Sequence, residues 1–126
     1  MSLFHAVALV DHQSAKVFQF GQGQVTEDKM HSILHQTRQH GSAVRSEHEF
    51  FGEVCDALEG IPEVLIAGGH TSLADFRHYV EKHRPPIAAH IVAYDVVDQP
   101  SDAQLVALAR KHFVKIDNMK GIALSD

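Results

Sequence analysis

VLIAGGHTSLADF, residues 64–76, is the stretch whose reading decides how this chain folds. Val64 to Ala67 is a short, unbroken apolar run, the pattern of a strand buried on both faces. Gly68 and Gly69 interrupt it, and Leu73, Phe76 and Val80 then recur at helical spacing. A strand that turns through glycine into a helix is the first half of a crossover. Right-handed crossovers return the chain to the same sheet as a parallel strand. The stretch from His90 to Val97 is read as that strand, reached after Pro85 and Pro86 end the helix.

The pattern differs on the amino-terminal side. Leu3 to Val10 is a mostly apolar run that Asp11 and His12 end, and Ala15 to Phe20 is a second strand followed by the turn signal Gly21-Gln22-Gly23. Val25 to about His35 is a third, weaker strand. The short links favour an antiparallel meander. Three S-x-x-[E/D/Q] spacings then announce helices: Ser46 with Glu49, Ser72 with Asp75, and Ser101 with Gln104. Behind the first, Phe50, Phe51, Val54, Cys55 and Leu58 lie on one face, with Gly60 and Pro62 as the stop; behind the third, Leu105, Leu108, Ala109 and Phe113 do the same. The order is β-β-β-α-β-α-β-α. The expected fold is α/β and ribonuclease H-like: a five-stranded mixed sheet of order 3-2-1-4-5 with helices on both faces. It is read as one domain over residues 1–126, with residues 114–126 a tail of ambiguous structure.

Composition narrows the function. The chain is 44% hydrophobic and 21% charged, which is globular, and its net charge of −5 gives no sign of the basic surface that nucleic-acid binding would require of the body as a whole. Eleven histidines make the charge steeply dependent on pH between about pH 5 and 8. Cys55 is the sole cysteine, so no intrachain disulfide can form. MSLFHAVALV lacks the basic region and full apolar core of a secretion signal, and no apolar run approaches the roughly 20 residues that span a bilayer. A cytoplasmic protein with no membrane partner and no cofactor is expected.

Several motifs carry a resemblance. The first strand ends in V-x-L-V-D, and Val64-Leu65-Ile66-Ala67-Gly68 leads to the acidic-aromatic pair Asp75-Phe76. This resembles the middle domain of the archaeal and eukaryotic peptide-chain release factors and of Pelota. His5-Ala6-Val7, Asp11-His12, Val97-Asp98, Pro100-Ser101-Asp102, Gln104-Leu105-Val106-Ala107 and Ala109-Arg110-Lys111 resemble, over nearly the whole chain, short bacterial proteins labelled "translational machinery protein", which are stand-alone domains of this kind. The resemblance implies an accessory factor in translation that contacts the ribosome or RNA. In release factors the loop before the first helix carries Gly-Gly-Gln, which enters the peptidyl-transferase centre. Residues 36–45 here have one glycine, Gly41, and no Gly-Gly-Gln. A non-enzymatic role is therefore expected. The alternative of a residual peptidyl-tRNA hydrolase would rest on Gln36 or Gln39.

Four site readings follow. Residues 36–45 are locally cationic, so Arg38, His40 and Arg45 are candidates for RNA or ribosome contact, by phosphate pairing and base stacking. Gly68, Gly69, His70, Thr71 and Ser72, at a strand-to-helix junction, form a candidate site for an anion or nucleotide, the chemistry of a small ligand-binding stress module. The structural reading of the same stretch is a tight glycine turn with Thr71 or Ser72 as the helix cap. His35, His40 and His48 are weak metal candidates, without any established ligand spacing, and no metal is expected. Asp11 is placed for a metal-dependent nuclease, but the fourth strand offers no acid to complete the set; Asp11 is read instead as a turn residue bonding its own backbone. Cys55 falls on an apolar helix face and is read as core. The third strand at the sheet edge, and the apolar tail residues Ile116, Met119, Ile122 and Leu124, suggest a homodimer.

Overall fold

The computed structural model describes residues 3–21, 29–34 and 43–119. The elements are β1 (Leu3–Val10), β2 (Ser14–Gly21), β3 (Lys29–Leu34), α1 (Ala43–Leu58), β4 (Glu63–Gly68), α2 (His70–His83), α3 (Pro85–Ala88), β5 (Ile91–Val96) and α4 (Asp102–Met119). They build one five-stranded sheet of order β3-β2-β1-β4-β5, the order expected from the sequence. β1 pairs antiparallel with β2, and β2 with β3. β1 and β4 are parallel, as are β4 and β5. The β1–β2 turn is held by the Asp11 N–H donating to the Ser14 carbonyl (2.9 Å) and the Gln13 N–H to Asp11 Oδ1 (2.7 Å). Asp11 thus has the turn role anticipated for it.

Period-two alternation divides β1 between two cores. Ala6, Ala8 and Val10 face α1 and α2; Val7 and Leu9 face α4. On the first face the sheet offers mainly small side chains, and the helices fill the space with Phe50, Phe51, Val54, Leu58 and Phe76. On the second face the sheet contributes Phe18, Phe20 and Leu65, and α4 supplies Leu105, Ala109 and Phe113, fully buried at i, i+4 and i+8. β4 is buried along its whole length, as a strand covered on both sides must be. Among the described residues no helix is long and apolar enough to cross a membrane.

Helix starts depart from the expectation in two cases out of three. α1 begins at Ala43, so Ser46 is a buried residue inside the helix and not its cap. α2 is preceded by Gly69 as N-cap, with no side-chain cap bond; Thr71 and Ser72 sit within its first turn. The third spacing does form the reciprocal box, at the start of α4: Gln104 N–H donates to Ser101 Oγ (3.2 Å), and Ser101 N–H to Gln104 Oε1 (2.8 Å). Pro85 and Pro86 do end α2, and they also open the short α3, because proline suits a first helical turn. The tail is helical to Met119. Of the third-strand expectation, residues 25–28 and 35 lie outside the described residues.

Candidate functional site

β1, β4 and β5 run parallel and end side by side, with the amino end of α2 above them. At that end lies a cleft of about 290 Å³. Asp11 and His12 enter it from β1, Gly68, Gly69 and Ser72 from the β4–α2 junction, and Asp98 from the segment after β5. This is the carboxyl-end position that ligands favour in open α/β sheets.

Each contributor is placed by local chemistry. Gly68 pairs with Val10 on one side and Val96 on the other, and its carbonyl accepts from the Val97 N–H at 2.9 Å. A Cβ at Gly68 would lie 2.3 Å from the Val10 carbonyl oxygen, so the strands meet here only because residue 68 has no side chain. Gly69 has open space where a Cβ would point, and its φ of −70° suits any residue. Ser72 is 6% exposed, and its hydroxyl has no hydrogen-bond partner among the described residues. Gln99, beside Asp98, holds φ = 43°, a left-handed conformation unusual for a side-chain-bearing residue.

The cleft thus gathers part of the anticipated anion site. Gly68, Gly69 and Ser72 line it; His70 and Thr71 are exposed and outside its lining. What local reading missed is that Asp11 and Asp98 arrive at the same place from distant positions. That convergence follows from strand order alone, since β1 and β5 flank β4. Of the other candidates, Arg38, His40 and His35 lie outside the described residues, and Arg45 is the third residue of α1. His48 packs its ring against Tyr79 (5.2 Å between centroids) and His83 (5.1 Å), on the α1–α2 side of the molecule. Among the described residues no group of three or more His, Cys, Asp or Glu is placed to hold a metal.

Three other polar features stand apart from the cleft. His5 Nε2 and Glu63 Oε1 lie 3.0 Å apart, both buried, at paired positions of β1 and β4, with the Phe113 ring 4.3 Å from that of His5. Cys55 is buried, and burial pushes its thiol up to about 12. Desolvation first, and then the positive charges of His48, Lys82 and His78, hold His83 below its usual range.

No protein-family model matches the chain, and no curated protein matches it. Solved structures do. Pelota from Archaeoglobus fulgidus superposes over 94% of this chain with a TM-score of 0.64 at 18% identity, and the archaeal translation termination factor aRF1 over 92% with a TM-score of 0.60 at 11% identity. This chain spans 34% of the first protein and 39% of the second. The fold is therefore shared with a part of Pelota and of an archaeal release factor, in agreement with the resemblance seen in the sequence.

Proposed function

We propose that the protein is a non-enzymatic accessory domain of translation that associates with the ribosome or with RNA. The observation that carries this reading is the superposition of nearly the entire chain on parts of Pelota and of a translation termination factor. The cap of the last helix, Ser101 with Gln104, falls within the motifs on which the sequence resemblance rested. Contact is assigned to residues 36–45, the stretch that corresponds in the sequence to the Gly-Gly-Gln loop of release factors. Here it offers Arg38, His40 and Arg45. Cationic side chains on an acidic body concentrate attraction for phosphate in one place.

The test is co-sedimentation of the purified protein with ribosomes across a salt series. Binding is expected at low salt, weakening as salt rises, and lost on the double substitution R38E/R45E. A protein that stays in the supernatant at every salt concentration, or a variant that pellets like the parent, contradicts the proposal. Lacking Gly-Gly-Gln, the protein is expected to leave peptidyl-tRNA intact. Peptide release that Gln39→Ala abolishes would overturn the non-enzymatic reading.

A further inference from the structure

We infer that the cleft at the carboxyl ends of β1, β4 and β5 binds a small zwitterion of the α-amino acid class, a carboxylate and an ammonium held close together. Two sets of groups meet there with opposite demands. The first asks for an acceptor. Gly69 and Ser72 bring the amino end of α2 to the cleft wall, the helix has no side-chain cap, and the N–H groups of its first turn have no partner within the helix. Beside them is the Ser72 hydroxyl, more than nine-tenths buried and without a partner among the described residues. A buried hydroxyl left unbonded is costly, and an oxyanion seated at the helix end satisfies it together with the free N–H groups.

The second set asks for a cation. Asp11 and Asp98 line the same cleft, and both are exposed. Asp11 Oδ1 already accepts from the Gln13 N–H, while no hydrogen bond engages Asp98 among the described residues. Charge decides between ligand classes. None of the described lining residues is a lysine or arginine, so a phosphate would meet two carboxylates and no side-chain counter-charge except what His12 supplies when protonated. A bare amine would suit the aspartates but would face the positive end of α2. A ligand carrying one charge of each sign satisfies both ends and adds no net charge to a chain already at −5. Leu9 and Val97 supply apolar wall for a side chain, and about 290 Å³ accommodates a free amino acid.

This inference is independent of ribosome association and is tested separately. The probes are the twenty L-amino acids offered one at a time, with n-butylamine, butyrate and inorganic phosphate as single-charge controls, read by saturation-transfer NMR and calorimetry. At least one amino acid is expected to bind saturably and more tightly than any control. Ser72→Ala and, separately, Asp98→Asn are each expected to weaken that binding about tenfold. Asp98 is exposed, so its substitution keeps the test valid should Ser72→Ala perturb folding. Saturable binding of phosphate but of no amino acid would make the cleft an anion site and overturn the inference. So would an absence of binding by every amino acid, or binding that survives both substitutions unchanged.

Discussion

At the scale of single residues, Gly68 and Gly69 are adjacent and look alike in the sequence, yet the structure separates them. Gly68→Ala would drive a methyl group into the Val10 carbonyl on the central strand pair, and neither is free to move. We expect a loss of about 1–3 kcal/mol in urea unfolding, against little change for Gly69→Ala. His5 and Glu63 illustrate a different rule. Taking away one member of a buried polar pair strands the other, whereas replacing both with apolar groups removes the need. Glu63→Leu, which removes the bond to His5, is expected to destabilise by about 1–3 kcal/mol, readable by thermal melting. Cys55 adds a pH dependence. Its thiol pKa is raised by burial from 9.0 to about 12, so folding favours the protonated form. The stabilisation is complete below about pH 9 and is lost as pH climbs toward 12. Alkylation of the native protein should be much slower than that of the unfolded chain, because the thiol must first be exposed.

At the scale of elements, the lesson lies in the helix starts. The same S-x-x-[E/D/Q] spacing occurs three times, and it is a cap once. Two polar residues three apart also face the same way inside a helix, so the spacing by itself does not tell an entrance from an interior. What distinguishes Ser101 is its approach. Gln99 in a left-handed conformation and Pro100 after it prevent any earlier helical turn. No such barrier precedes Ser46, and α1 starts three residues sooner, at Ala43. Ser101→Ala is accordingly expected to cost about 1 kcal/mol of stability by chemical denaturation. Lys16 on β2 also reaches Asp102 at the start of α4 (2.9 Å), an exposed pair that should contribute well under the cap's share. The strands were the more legible elements, because unbroken or alternating apolar runs report burial directly.

At the scale of the whole molecule, the strand order was readable because connection length and handedness leave few alternatives. Three strands on short links can only lie side by side, and two helical crossovers then add the last two on the far side of β1. The candidate cleft was only half readable for the same reason. The β4–α2 junction is local and carries its glycines in plain view. Asp11 and Asp98 are 87 positions apart in number, and only the completed sheet brings them to one opening. The order has one more outcome. β3 and β5, six residues each, form the two margins of the sheet. Copies that joined like margin to like would close on a twofold axis and stop at a pair, whereas β3 laid against a neighbour's β5 would leave a fresh margin after every addition and grow without end. Which of the two modes a pair of copies would follow depends on whether the residues along each border match their own kind or each other.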